Sequence, residues 1–244
     1  MRWPPTRRLV ARASYRNLST MCGLFASFLP ADSIAQILHT TNPLPNVASS
    51  WNVAPTQSPM VVRRHPETGE RHLDLLKWGL LPYWTKDPVK ARRPINARSE
   101  TVASSGMFKG AFAQRRCPVP ADVFYEWKVV DDGKQPCAIA RQDGQPMAFA
   151  GLWEGFKWPS GEVDRTFTIV TTSPNAEMAE LHDRMPVILG QADWPTWLGD
   201  AEGDYGALLR PARDGTLRTG LISKRVNTPK NNDAALLDPI EQAA

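Results

Sequence analysis

The stretch Val123-Phe124-Tyr125-Glu126-Trp127-Lys128-Val129-Val130-Asp131-Asp132-Gly133-Lys134-Gln135-Pro136-Cys137-Ala138-Ile139-Ala140 decides the fold. β-Branched and aromatic residues fill the first arm, small and apolar ones the second, and Asp132-Gly133 stands between them. Asp-Gly accepts the positive φ that a tight turn between twisted strands demands, so the pattern predicts a hairpin. A second pair, Asp143-Gly144, leads into an apolar run from Met147 to Glu154, and a loop with Ser160-Gly161 leads into Thr166 to Thr172. These runs read as a strand meander. Upstream, Pro59 to Val62 and Leu73 to Leu81 read as strands around the turn His65-Pro66-Glu67-Thr68-Gly69. Helices are few and short. Asp32 is placed as the cap of one bearing Ile34, Ile37 and Leu38, and Phe108, Ala111, Phe112 and Arg115 have helical spacing. Ser173-Pro174 opens a helix through Leu181, Pro186 to Leu189 is a strand, and Asp193 caps a last short helix. The expected fold is α+β: a single domain with a largely antiparallel, barrel-like β core and flanking short helices.

At 244 residues and 42% hydrophobic content, the chain can bury one good core. No apolar run approaches the roughly 18 residues of a membrane span. Cys22, Cys117 and Cys137 form no Cys-x-x-Cys pair and no signal-peptide core precedes them, which points to a reducing compartment without a disulfide framework. His39, His65, His72 and His182 make no ligand-spaced cluster with them, so a structural zinc is not expected. The formal charge of +4 misleads. Arg2, Arg7, Arg8, Arg12 and Arg16 lie in residues 1–20, which hold no acid. Without those five, the 29 basic residues become 24 against 25 acidic ones. Affinity for nucleic acid must then come from local clustering. Such a cluster runs from Lys86 through Lys90, Arg92, Arg93, Arg98, Lys109 and Arg115 to Arg116, with only Asp87 and Glu100 against it.

Neither an internal repeat nor a low-complexity linker divides the chain. Three parts are expected: an N-terminal extension (1–20), a domain (21–230) and a C-terminal tail (231–244). The extension is Arg-rich, acid-free and hydroxyl-containing, as an organellar presequence would be. The preferred reading is a misassigned start, because Met21 is a natural initiator directly before Cys22. A chain beginning at Cys22 carries a thiol and a free α-amine on adjacent carbons, with pKa values near 8.5 and 8. This 1,2-aminothiol can attack an aldehyde twice and close a five-membered thiazolidine ring. Inside a longer chain Cys22 has no amine to offer and reads as an ordinary half-buried cysteine.

Four segments set polar residues among apolar ones without a periodic reason: Trp51-Asn52-Val53-Ala54-Pro55, Pro94 to Thr101, Phe124-Tyr125-Glu126-Trp127, and Leu181-His182-Asp183-Arg184-Met185-Pro186. Alternation points Glu126 the same way as Phe124. Burial there would favour its protonated form and fit it for proton transfer, whereas the opposite placement makes it a solvated strand-face residue. His182 before Asp183 fits a general acid/base with an acidic orienter, although a histidine at a helix C-terminus is more often a cap on the helix dipole. Asn96 and Arg98 alternate, so they share a face on which Arg98 can grip a phosphate, or else both hold loop backbone. Pro55 and Tyr83-Trp84 can wedge or stack against bases, though aromatic residues belong to cores by default.

Taken together these segments closely resemble the SRAP family, abasic-site processing proteins that shield DNA lacking a base. The resemblance runs from Met21 to about Ile240. It is carried by Met-Cys-Gly at 21–23, Asn-Val-Ala-Pro at 52–55, Trp78-Gly79, Ile-Asn-Ala-Arg at 95–98 with Glu100-Thr101, Phe-Tyr-Glu-Trp at 124–127, and His-Asp-Arg-x-Pro at 182–186. The resemblance implies Cys22 as the cross-linking nucleophile, Glu126 and His182 as its acid/base helpers, and Asn96 as the residue that positions the abasic sugar. It implies Arg98 as a phosphate contact, with Asn52, Pro55, Tyr83 and Trp84 among the DNA-facing residues. Leu24 departs from the family, which usually has Arg there; Arg92 or Arg93 can take up that share.

The implied partner is single-stranded DNA containing abasic sites, met by a monomer in the cytoplasm at the nucleoid, or in an organelle if residues 1–20 are a genuine presequence. The implied product is a thiazolidine cross-link, formed without a metal or organic cofactor, with lyase chemistry open at the Schiff-base stage and autoproteolytic release of residues preceding the cysteine. Two rivals stand beside this reading. N-terminal-nucleophile glutamine amidotransferases also begin Met-Cys-Gly, but they use an Asn-Gly pair in the oxyanion hole, and this chain contains no Asn-Gly. The other is a non-covalent DNA-binding module in which Cys22 is structural.

Overall fold

The two arms of the predicted hairpin pair from Phe124 opposite Ile139 to Val130 opposite Gly133, so Gly133 is already strand and the connection is residues 131–132 rather than Asp132-Gly133. The rest of the domain is assembled on both sides of that ribbon. The computed structural model describes residues 23–131 and 133–240. Its strands, in chain order, are β1 Phe25–Ser27, β2 Ser50–Val53, β3 Met60–Arg64, β4 Arg71–Leu75, β5 Lys77–Trp78, β6 Asn96–Arg98 and β7 Arg116–Ala121. They continue as β8 Val123–Val130, β9 Gly133–Arg141, β10 Met147–Lys157, β11 Val163–Thr172, β12 Met185–Pro186 and β13 Leu217–Leu221. Four short helices accompany them: α1 Ala31–Leu38, α2 Lys109–Gln114, α3 Ala176–Ala179 and α4 Trp194–Leu198.

One sheet has the order β13-β9-β8-β1-β2; the other has the path β12-β11-β10-β7, with β5 and β6 added parallel to β11. The remaining described pairs are antiparallel, so the α+β class and the largely antiparallel order stand. The described strands form two facing sheets and the separate β3-β4 hairpin rather than one closed ring.

Side-chain alternation builds three core layers from these sheets. Phe124, Cys137 and Ile139 from the first sheet meet Phe149, Trp153, Phe167 and Ile169 from the second in the central layer. On the outer face of the second sheet, Ala148, Ala150, Leu152 and Val170 pack under Ile34, Leu38, Phe112 and Trp197 of the helices. On the outer face of the first, Val123, Tyr125, Ala138 and Ala140 pack under Ile222, Val226 and Leu237. β10 reads as an unbroken apolar run because it is covered on both faces. Gly151 within it is required by close approach: a Cβ would lie 2.8 Å from Val119 Cγ2 and 3.0 Å from the Cys117 carbonyl. β7 is an edge strand, which lets Pro118 and Pro120 stand two apart with their missing donors on the unpaired side.

Several local expectations are corrected. The Asp143-Gly144 turn does not close a hairpin; β9 and β10 belong to different sheets, so the chain crosses the core there. The strand expected over Leu73 to Leu81 breaks at Leu76 into β4 and β5, which pair with different partners. Asp32 lies inside the first turn of α1, where it accepts the Ser33 amide, and Pro30 holds the cap position. The helix expected from Ser173-Pro174 shrinks to α3, capped by the Asn175 side chain on the Met178 amide. Asp193 does hold the cap position of α4, without a side-chain bond. Residues 231–240, set apart on sequence as a tail, lie against the domain: Leu236 is fully buried and the Ile240 amide donates to the Leu221 carbonyl.

Candidate functional site

Glu126 is the polar residue the β8 alternation turns inward. It is 2% exposed, and its cross-strand partner Cys137 belongs to the central core. The solvated alternative is thereby excluded. β1 runs antiparallel beside β8 with Phe25 opposite Phe124, and the Tyr125 amide donates to the Leu24 carbonyl. Carried two residues further, that register sets Gly23 beside Glu126. Both line an open cleft of ≈ 500 Å³ together with Leu24, Pro55, Ile95, Trp127, Lys134 and Asn227. The cleft draws on both sheets, since Ile95 directly precedes β6 in the second. Cys22, bonded to Gly23, lies outside the described residues, as do residues 1–21.

The rim is fixed by the C-terminal segment. Trp127 Nε1 donates to Asn227 Oδ1 at 2.8 Å, which holds the indole as a wall. Asn52 Nδ2 donates to the carbonyls of Val226, Thr228 and Asn231 at 3.0–3.2 Å. Asn52, expected to face DNA, is 1% exposed and spends its amide on the loop that carries Asn227. Its reach to the site runs through that loop. Pro55 comes from the turn after β2, where Thr56 takes a positive φ of 75° and its amide donates to the Trp78 carbonyl.

His182 follows α3, its amide bonded to the Met178 carbonyl. Its half-buried ring has Nδ1 at 3.1 Å from the Arg184 amide and 2.9 Å from Asp183 Oδ1. Accepting the amide needs a bare Nδ1, whereas donating to the carboxylate needs a proton there. Burial lowers the His182 pKa; Asp183 opposes the shift, and the Lys134 and Arg184 cations add to it. The neutral ring with its proton on Nε2 is therefore favoured.

Arg184, in the same motif, is buried and makes a two-pronged contact with the Glu100 carboxylate, one arm at 2.9 Å; its Nη2 also donates to the Thr171 carbonyl at 2.7 Å. This pair ties the 182–186 segment to the segment of Asn96 and Arg98. The hydrogen bond from Arg184 is the main cause holding the Glu100 carboxyl down to about 2, from an ordinary 4.5. Because the folded value is the lower one, the pair's stabilisation is complete above about pH 4.5 and is lost as pH falls toward 2. Glu100 is half-exposed, so the loss is screened. Glu100→Gln is expected to cost roughly 1–3 kcal/mol, between exposed and buried ion pairs. Melting curves at pH 7 and pH 3 check this: the gap from wild type should narrow at pH 3.

On β6, Ala97 is fully buried between Asn96 and Arg98, which share the other face as alternation required. Arg98 is exposed and makes no side-chain ion pair with the described residues. Tyr83 and Trp84 are 61% and 51% exposed, unlike the other large aromatics, which are mostly buried. They lie with Arg92 and Arg93 in the 81–94 connection, none of them among the residues lining the cleft. Arg93 packs its Cβ against Gly79, while Arg92 is exposed. The basic cluster divides. Arg115 pairs with Glu154 at 2.8 Å and covers the Tyr83 ring. Arg116 is buried, with its guanidinium on the carbonyls of Trp197, Phe112 and Ala113. No group of His, Cys, Asp and Glu that could hold a metal occurs among the described residues, and no described helix is long and apolar enough to cross a membrane.

Lys134 and Asn227 carry no local pattern that distinguishes them from loop residues. Glu100 and Arg184 stand in separate motifs of the sequence, and only the fold brings them together.

With this cleft in view, residues 21–229 match the SOS response associated peptidase (SRAP) family, and the chain belongs to it. It is 38% identical over 224 residues to the abasic site processing protein YoqW of Bacillus subtilis, covering 89% of this chain and 99% of that one. The abasic site processing protein YedK of Escherichia coli is 31% identical over 232 residues, covering 90% of this chain and 100% of that one. An X-ray structure of a protein from Bacteroides thetaiotaomicron shares the fold, with a TM-score of 0.79 over 90% of this chain and 100% of that one, at 22% identity.

Proposed function

We propose that this protein processes abasic sites in single-stranded DNA by forming a covalent cross-link through Cys22 once that residue is N-terminal. The observation that carries the reading is the buried Glu126 carboxyl in an open cleft beside Gly23, the residue to which Cys22 is bonded. Membership of a family whose relatives carry the name abasic site processing protein supports it.

An abasic sugar equilibrates between a closed hemiacetal and an open aldehyde. Glu126 assists ring opening by proton transfer. The Cys22 amine adds to the C1′ aldehyde and one water leaves, giving a Schiff base. The thiol then adds across the imine: sulfur bonds to C1′, the thiol proton goes to nitrogen, and a thiazolidine closes. His182, neutral and accessible to a proton, serves these transfers, and reversal uses the same groups. Asn96 positions the sugar and Arg98 holds a phosphate beside it; Pro55, Tyr83 and Trp84 meet flanking bases, with Arg92 and Arg93 supplying charge. Asn52 supports the rim. The Schiff-base stage also permits strand cleavage, which ring closure prevents, and release of the residues before Cys22 is the peptidase step that exposes the amine.

The test is a single-stranded oligonucleotide with one abasic site, run on native and denaturing gels. A band that survives denaturation supports cross-linking. A shift seen only on the native gel supports the non-covalent module, and glutamine hydrolysis without an adduct supports the amidotransferase. Arg98→Ala is expected to weaken binding and to reduce the slope of log affinity against log salt by about 0.7, one phosphate on a single strand. An unchanged slope, measured by fluorescence anisotropy, would make Arg98 structural.

A further inference from the structure

Lys134 stands near the turn of the β8-β9 hairpin, opposite Val129, and lines the cleft with Glu126 and Trp127. An exposed lysine is ordinarily a solvated point charge, but the placement of this one is unusual. Lys134 and Glu126 are the charged residues that line the cleft among the described ones. Lys134 makes no ion pair or hydrogen bond with a described residue that would occupy its ammonium. The four-carbon stem can follow the apolar wall while the head group remains available in the opening. Its charge is also felt at His182, where it adds to the lowering of the pKa. Lys134 lines the cleft from β9 of the first sheet, and Arg98 stands exposed on β6 of the second, three residues after the lining residue Ile95.

We propose that Lys134 is a phosphate-binding residue of the cleft, taking the DNA backbone phosphate on the side of the bound sugar away from Arg98. The assignment rests on the proposed reading of the cleft as a site for single-stranded DNA. A lysine suits the position, because a mobile ammonium can follow a flexible single strand without demanding the fixed fork geometry of arginine.

The experiment is a binding cycle between protein and DNA. Wild type, Lys134→Gln and Lys134→Arg are titrated by fluorescence anisotropy with single-stranded oligonucleotides in which one linkage at a time is a neutral methylphosphonate. Wild type should lose affinity at the linkage that Lys134 holds, and Lys134→Gln should be indifferent to that linkage while remaining sensitive to the others. The salt slope of Lys134→Gln should fall by about 0.7, and Lys134→Arg should restore it. Equal sensitivity of wild type and Lys134→Gln at every linkage, with an unchanged slope, overturns the assignment alone. A uniform loss that Lys134→Arg does not restore, with no linkage singled out, marks a structural role and overturns it too. If wild type neither binds single-stranded DNA nor forms a heat-stable adduct, the functional reading fails and the assignment falls with it.

Discussion

Cys22→Ala is expected to abolish the heat-stable adduct with abasic single-stranded DNA, while Cys117→Ala and Cys137→Ala keep it. Only the residue at 22 can offer amine and thiol together, and the two other thiols are disabled by their surroundings. Cys117 is fully buried, and desolvation pushes its pKa far above the thiol range. Cys137 is 2% exposed and desolvation pushes it up to about 11, so almost none of it is thiolate at neutral pH. Denaturing gels after equal incubation check the three variants. Cys117 packs against Val119 and Gly151 in the core, so its alanine variant must first be shown to melt as a folded protein. Loss of the adduct in a folded Cys117 or Cys137 variant would move the chemistry away from the N-terminus.

Glu126→Gln is expected to slow adduct formation by roughly 10²–10⁴, the usual range for a positioned proton-transfer group, equivalent to about 3–5 kcal/mol of barrier. The substitution keeps size and hydrogen-bonding shape in a residue that is nearly inaccessible, so non-covalent affinity should hold. The rate must therefore be measured at saturating DNA, where weaker binding cannot imitate slower chemistry. Equal rates for variant and wild type under that condition would remove Glu126 from the mechanism.

The sequence disclosed what depends on neighbours in the chain and concealed what depends on neighbours in space. The β8-β9 hairpin was legible because strand formers flank an Asp-Gly pair, and Gly133 takes a positive φ at the start of β9, one residue past the connection. Asp143-Gly144 carries the same signal, yet there the chain passes from one sheet to the other, and local turn chemistry does not distinguish a hairpin from a crossing. β5, β6 and β12 are two or three residues long, below any period that could reveal them, and they exist because β11 offers an edge. Ser-Pro is a fair helix opener and suggests a longer α3, but the Asn175 side chain caps the helix by capturing the Met178 amide three residues later in the chain.

The site divides in the same way. Glu126 was marked by a charge where alternation demands an apolar residue, and burial confirms its inward face. Asn52 looked alike on sequence, yet its amide is closed off by carbonyls some 174–179 positions away. The Arg184–Glu100 contact spans 84 positions, and Lys134 enters the cleft only through the pairing of β9 with β8. None of these has a local signature.

The most direct test of the central claim is the intact mass of the protein before and after incubation with an abasic single-stranded oligonucleotide. Two forms are compared, one carrying residues 1–20 and one started at Met21. The account predicts an adduct whose mass is the sum of protein and DNA less one water, found only on chains whose own mass shows Cys22 as the first residue. Trimming of Met21 should make the shorter form reactive, and the longer form should react only after it has been cut before Cys22. An adduct of the same stability on a chain that retains Met1 or Met21 would contradict the thiazolidine mechanism.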